Sequence, residues 1–194
     1  MIKHYSPVPF LVAAVVILAA CGSPSSSGDA TTAGVAKAPQ QTEVVMHGDY
    51  PSYSSVDALF DTADLVLRGR VIGQPRVVVV EPASPGRQDA IVYTVRRVQV
   101  TEVFKGATSK NSVIEVKQLG GLVDGVTYKE DDAKPLRAER EYTLFLASFD
   151  DSPASLLNPM QAQFEVDGAL LRPAPGNNLK LTRTQLVKLG AQGQ

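Results

Sequence analysis

The sequence predicts a mainly β domain, closed as a small barrel or curled as an open sheet, with a short helix at each end of the domain. β-rich runs alternate with Gly, Pro and Asp-Gly turn signals at close spacing from residue 65 to residue 173. The longest run, residues 90–104, is long enough to curve as the strands of small barrels do. Helical periodicity is confined to two short segments, residues 54–63 and 182–190.

The amino-terminal segment is typical of an exported protein. Lys3 provides a short basic start, and eleven consecutive apolar residues follow at 10–20. Such a run is too short for a membrane-spanning helix, which needs about 20 residues, but it matches the hydrophobic region of a secretory signal. We therefore expect residues 1–20 to be a signal peptide, with a buried hydrophobic helix as the alternative.

The apolar run ends in four residues that resemble the lipobox of bacterial lipoproteins: Leu18, Ala19, Ala20 and Cys21. In a lipobox the residues before the cysteine are recognised by the signal peptidase, and small side chains leave room for cleavage. The cysteine thiol accepts a lipid, and several acyl chains are needed because each buried CH₂ contributes only about 0.8 kcal/mol. The resemblance implies a protein that Cys21 anchors to the cell membrane on its extracytoplasmic side. A plain secretory signal beside a stray cysteine is the alternative.

Residues 21–49 are predicted to form the lipidated start and a flexible tether, and residues 50–190 the domain. The tether begins with small polar residues (GSPSSSGDATTAG), and the following VAKAPQQTE shows neither a helical nor a strand period. Such a segment cannot bury enough apolar surface to become ordered. As a coil of about 25 residues, it would hold the domain roughly 25–30 Å from the membrane.

Composition narrows the classes of partner and chemistry. The chain has 19 basic and 20 acidic residues, a net charge of −1. This balance provides no electrostatic footprint for nucleic acid, so we expect no nucleic-acid partner. Lipidation of Cys21 would leave no thiol for a disulfide or a metal site. Stability must therefore come from an apolar core, for which 44% hydrophobic residues suffice.

The first predicted helix opens the domain. Ser54 is expected to be its N-cap, with Asp57 three residues later as in an acidic capping box. One apolar helix face follows at i, i+3, i+4 and i+7: Val56, Leu59, Phe60 and Ala63. The final helix is predicted to begin at a capping box of Thr182 and Gln185 and to stop at Gly190.

Strands fill the sequence between the two helices. Residues 65–72, with a bulge or bend at Gly69, precede strands at 76–81 and 90–104. A bulge near Arg96-Arg97 would bring the apolar residues on both sides of it to one face. The remaining elements are predicted in this order: a strand at 112–118 ended by Gly120-Gly121, a type I′ hairpin at Asp124-Gly125, a loop at 129–140, a central apolar strand at 142–149 and a second hairpin at Asp167-Gly168.

Three segments are similar to motifs of a group of bacterial envelope proteins with a netrin-like (tissue-inhibitor-of-metalloproteinase-like) OB barrel: ADLVLRGRV at 63–71, VTEVFKG at 100–106 and EYTLFL at 141–146. The resemblance spans residues 54–166 and implies a small OB-like barrel. These are strand and turn motifs, so they imply a fold and not an activity. The group has a glycine before the third motif. This chain has Arg137-Ala138-Glu139-Arg140 there, so we expect a different turn.

The inhibitory activity of the animal relatives in this group does not transfer to the chain. Those inhibitors use a disulfide-bonded N-terminal cysteine, whose amine and carbonyl groups chelate the zinc of the target. Cys21 would instead carry lipid far from the barrel, and the sequence contains no second cysteine to pair with it.

The sequence predicts no catalytic constellation, metal site or cofactor. His47 is the only histidine after residue 20 and lies beside the tether, so a Ser-His-Asp or Cys-His arrangement lacks a base. Zinc ligands and nucleotide-binding glycine motifs are missing. The candidate carboxylates lie in predicted loops and turns, where acids are usually solvated: Glu130, Asp131, Asp132, Asp150 and Asp151. Paired acids can hydrolyse glycosides or bind calcium.

Five side chains on the predicted strands form a candidate binding surface, to which Tyr128 would add aromatic area: Arg68, Arg70, Tyr93, Arg96 and Arg97. OB folds bind oligonucleotides and glycans on such faces. Outward charges on strands also serve simply to block edge pairing. The absence of Trp argues against a sugar ligand.

Three functions follow from these observations. The favoured one is a non-enzymatic module, anchored by lipid, that binds another envelope component, either a protein or a glycan. An accessory or structural subunit of an envelope complex is a close alternative, because the sequence hardly separates the two. A carboxylate-dependent envelope hydrolase is the least favoured, since it needs the acidic residues to meet in one site.

Overall fold

A computed structural model of the chain describes residues 42–81, 90–131 and 133–192. The expectations for residues 1–20, for Cys21 and for Asp132 lie outside them. The elements in these ranges are β1 (Thr42–Met46), α1 (Val56–Thr62), β2 (Leu65–Val80), β3 (Ile91–Lys105), β4 (Val113–Val123), β5 (Val126–Glu130), β6 (Glu141–Ala147), β7 (Ala154–Leu156), β8 (Gln163–Asp167), β9 (Leu170–Pro173) and α2 (Arg183–Gln192). The predicted mainly β class is confirmed.

Five strands close a ring of hydrogen bonds. β2 is antiparallel to β3 on one side and to β6 on the other, and β3 is antiparallel to β4. The short β7 completes the ring, because it pairs in parallel with β4 and antiparallel with β6. This arrangement is the small OB-like barrel that the sequence predicts. β5 and β1 extend the sheet beyond β4, and β8 and β9 extend it beyond β6.

The core lies inside the barrel and under the two helices. The four residues of the predicted α1 face are all buried. Between β6 and β8, the rings of Phe145 and Phe164 meet edge to face, with centroids 6.0 Å apart. α2 packs close to β3, since a Cβ on Gly190 would lie 2.8 Å from the carbonyl oxygen of Phe104.

The helix boundaries differ from prediction by one or two residues. The N-cap of α1 is Ser55 and not Ser54, because the Ser55 hydroxyl accepts the backbone N–H of Ala58 at 3.1 Å. The cap of α2 is confirmed, with Thr182 Oγ1 accepting the N–H of Gln185 at 3.2 Å. Gly190 does not end α2, which continues to Gln192. α1 is also not the first element, since β1 precedes it.

The bulges of β2 and β3 are distributed differently from prediction. The register shifts between Arg68 and Gly69, but the extra residue there is Thr101 of β3, so Gly69 lies opposite a bulge and does not form one. The pairing of β3 with β4 is unbroken past Arg96, however. The extra residues at that level belong to β2, between Ile72 and Arg76, so the predicted strands 65–72 and 76–81 form one bulged strand.

Glycine has different roles at the predicted turns. Asp124 and Gly125 have φ angles of 48° and 80°, which confirms the type I′ hairpin. In the second hairpin Asp167 pairs with Leu170, so the loop begins at Gly168, one residue later than predicted. Gly120 and Gly121 do not terminate β4, which continues through them to Val123 and pairs with β5.

Strand β1 overturns the predicted start of the domain. Residues 42–46, assigned to the tether, pair in parallel with β5 in the register Val44 to Tyr128 and Met46 to Glu130. Four of the five β1 residues are exposed. An edge strand that buries so little on either face shows no alternation of apolar and polar residues, and this is why the sequence pattern missed it.

Neither of the helices described here, α1 with 7 residues and α2 with 10, is long and apolar enough to cross a membrane.

Candidate functional site

A cleft of about 900 Å³ lies where β1 and the residues that follow it run past the sheet. The parallel pairing of β1 with β5 brings residues 47–50 to this position. The chemistry-bearing side chains that line the cleft are His47, Asp49, Tyr50, Tyr93, Lys117, Tyr128 and Glu130. Its apolar lining includes Val44, Val45, Ile91, Leu119, Leu156 and Pro159.

Glu130 is the buried carboxyl of this cleft. It is the last residue of β5, lies opposite Met46 of β1 and is only 8% exposed. No hydrogen-bond donor among the described residues reaches its Oε1. Burial raises the pKa of the Glu130 carboxyl, and the hydroxyl of Tyr50 beside it offsets part of that rise. The prediction that Glu130 is a solvated loop residue is therefore wrong.

Tyr50 joins the segment after β1 to the buried carboxyl. Burial raises the pKa of its phenol, and the neighbouring Glu130 and Tyr93 raise it further. Tyr50 therefore remains a protonated donor beside the Glu130 carboxyl. Its ring lies against Gly48, where an added Cβ would come within 2.2 Å of Tyr50 Cε2. A glycine at position 48 is what allows the ring to take this place.

Lys117 provides an ammonium group to the cleft, and this group already has a hydrogen bond and two cation–π contacts with its neighbours. Its Nζ donates to the hydroxyl of Ser152 at 2.5 Å and lies 4.6 Å from the ring centroid of Phe149 and 5.6 Å from that of Tyr93. Burial lowers its pKa. Lys117 forms no ion pair with Glu130 among the residues that the structure describes. Within the described ranges, the cleft thus contains a lysine that has partners and a carboxyl oxygen that has none.

The five residues of the predicted binding surface do not lie together on one surface. Arg68 pairs with Glu141 at 2.8 Å, and Arg70 donates to the carbonyl of Glu139 at 3.0 Å. Arg97 is exposed. Arg96 is half-buried on the opposite face of β3, and burial lowers its pKa. Of the five predicted side chains only Tyr93 lines the cleft.

The predicted acidic residues do not converge. Glu130 lines the cleft, Asp131 is exposed, and Asp150 and Asp151 line a separate shallow pocket beside Phe149. Within residues 42–81, 90–131 and 133–192, no group of three or more His, Cys, Asp or Glu could hold a metal ion. Hydrolysis by a pair of these acids therefore has no supporting geometry in the described part of the chain.

Sequence reasoning missed His47 and Asp49 as cleft residues because it placed residues up to 49 in a tether, and it did not single out Tyr50 at the start of the predicted domain. The adjacent β-branched residues Val44 and Val45 were the available signal for a strand there. No protein-family model and no curated protein matches the chain.

Proposed function

We propose that the chain is a lipid-anchored lipoprotein on the extracytoplasmic side of a bacterial cell membrane, whose netrin-like barrel binds another envelope component without catalysis. The cleft supports the binding role, and the main observation is the buried carboxyl oxygen of Glu130 that has no hydrogen-bond donor among the described residues. Buried polar atoms in folded proteins almost always have partners, and an exception beside a concave surface favours a ligand site. The anchoring part is supported by the lipobox resemblance at residues 18–21.

Anchoring is tested by metabolic labelling with palmitate in a bacterial host. Wild-type protein should incorporate the label and sediment with the membrane fraction. Cys21→Ser should lose both properties, and Ser25→Ala, a nearby change that keeps the thiol, should lose neither. A wild-type protein that takes up no label would overturn the anchoring proposal and leave the barrel proposal to its own test.

Binding at the cleft is tested with a photo-crosslinking phenylalanine analogue placed in the living cell. At position 128 it replaces an aromatic residue that lines the cleft. At position 187 it replaces a valine on α2 that is 50% exposed and outside the cleft. A discrete adduct from position 128 alone supports the proposal. No adduct, or the same adduct from both positions, contradicts it.

A further inference from the structure

We propose that the ligand of this cleft presents an alkylammonium group at the end of an unbranched chain, which binds Glu130 among the tyrosines of the cleft. This inference rests on the proposed binding function and names the chemical class of ligand. The observations that carry it are the buried Oε1 of Glu130 without a donor, the aromatic lining, and the engaged state of Lys117.

The requirement for a cation comes from the burial of Glu130. A buried carboxylate is costly unless a charged group and hydrogen bonds compensate it. The lysine of the cleft does not, since Ser152 and the rings of Phe149 and Tyr93 hold its ammonium. A ligand ammonium would supply both the charge and the missing hydrogen bond, and such charge-assisted bonds are about twice as strong as neutral ones.

The aromatic lining favours the same ligand group. Three of the six tyrosines of the chain line this one cleft: Tyr50, Tyr93 and Tyr128. Aromatic faces attract cations, and desolvated contacts contribute about 2 kcal/mol or more. An ammonium already lies over one of these rings, since Lys117 Nζ is 5.6 Å from the ring centroid of Tyr93.

The geometry of Glu130 separates an ammonium from a guanidinium. A guanidinium binds best when both oxygens of a carboxylate are available to its planar fork. Here Tyr50 lies beside the carboxyl, and no donor from the described residues reaches the buried Oε1. A compact group with a single directed bond fits this arrangement. Because Oε1 is enclosed, a ligand must displace part of its surroundings to reach it, and a slender alkyl chain displaces less than a ring.

The inference is tested by calorimetric titration of the full mature protein in detergent with n-butylammonium. We expect saturable binding, weakened at least tenfold in Glu130→Gln and unchanged in Glu115→Gln, whose carboxylate pairs with Arg76 outside the cleft. n-Butanol and n-butylguanidinium should bind at least tenfold more weakly than n-butylammonium. Glucosamine, the amino-sugar probe, should also bind more weakly, which distinguishes a lysine-like amine from a sugar amine.

Tyr128→Leu provides a second variant in case Glu130→Gln disturbs the fold. Loss of one ring should weaken n-butylammonium binding about three- to tenfold. Equal binding to wild type and to Glu130→Gln, or no binding to wild type, overturns the inference. If the crosslink at position 128 forms but butylammonium does not bind, the binding function stands and the ligand class is wrong. If neither occurs, both proposals fail.

Discussion

Arg68 and Glu141 face each other across β2 and β6, with Nη2 and Oε2 2.8 Å apart. Thr101 donates to the other carboxylate oxygen at 2.9 Å. Burial alone would raise the pKa of Glu141, but the hydrogen bonds from Arg68 and Thr101 hold it below its ordinary value. Arg68, which the sequence places in a candidate binding surface, is therefore part of a structural ion pair.

Replacing Arg68 by Met should lower the free energy of unfolding by about 1–3 kcal/mol at neutral pH, because it leaves the half-buried Glu141 without its charged partner. Arg76→Met is the control, since Arg76 and Glu115 are 56% and 41% exposed and such a pair contributes at most about 1 kcal/mol. Urea unfolding at neutral pH measures both. Equal costs for the two variants would contradict a structural role specific to Arg68.

The stability of Arg68→Met should also depend on pH differently from that of wild type. The lowered pKa of Glu141 contributes stability that is complete above the unfolded value of 4.5 and is lost as pH falls towards the folded pKa. The stability gap between wild type and Arg68→Met should therefore narrow below about pH 4.5. A gap that stays constant down to pH 3 would show that the lost arginine acts through packing and not through charge.

Glu139→Gly should stabilise the protein by about 0.5–1 kcal/mol. Glu139 has a φ of 59°, a left-handed conformation that is costly for a residue with a Cβ. Asn111→Gly, at a φ of 69°, is the control and should gain less, because asparagine tolerates this region. Chemical denaturation compares the two, and a loss of stability in Glu139→Gly would mean that its side chain contributes more than the strain costs.

Local signals predicted much of the fold. The α1 face and the Asp124-Gly125 turn depend on residues close in sequence, so spacing sufficed. The glycine pair predicts a strand end at Gly120, whereas in the structure Gly120 lets the backbone of β4 approach Tyr128, whose carbonyl oxygen would lie 2.6 Å from an added Cβ. Ring closure by the three residues of β7 joins β4 to β6, a long-range contact for which a three-residue strand carries no signal.

The candidate site was harder to predict, because its central residue depends on the segment that was misassigned. Glu130 lies in a charged run, KEDD, which is typical of a solvated loop. Its burial comes from its place at the end of β5 beside β1 and near Tyr50. Because the sequence predicts a tether at residues 42–49, no pattern in it indicates that this carboxyl is enclosed. Tyr93 could be predicted because the sequence signal for its strand, β3, is local and does not depend on the segment before Tyr50.

Gly48→Ala should weaken n-butylammonium binding severalfold while lowering the free energy of unfolding by less than about 1 kcal/mol. The new Cβ would lie 2.2 Å from Cε2 of Tyr50, so the ring must move away from the Glu130 carboxyl. The cost to stability is small because a rotating side chain relieves the clash at an exposed position. Ser52→Ala, an exposed change in the same segment, is the control. Unchanged affinity in Gly48→Ala would mean that the Tyr50 ring has no part in binding.

Glu130→Gln should stabilise the protein at neutral pH and not at acid pH. A carboxyl whose pKa is raised by folding binds its proton more tightly in the folded state. The contribution of Glu130 to the free energy of unfolding is therefore fully present below the unfolded pKa of 4.5, and it is lost as pH rises towards the folded pKa. Each tenfold difference in proton affinity corresponds to about 1.4 kcal/mol. Glutamine keeps an oxygen for Tyr50 but cannot ionise, so the variant escapes this loss.

Thermal unfolding at about pH 4 and pH 7 checks this, with Glu115→Gln as the exposed control, which should not be more stable than wild type at pH 7 because it loses the ion pair with Arg76. The melting temperature of Glu130→Gln should exceed that of wild type only at pH 7. n-Butylammonium should then reduce the difference, because it stabilises the wild-type carboxylate alone. A difference that does not change with pH would show that Glu130 carries its charge at no cost to folding. A ligand cation would then not be needed to compensate the buried Oε1.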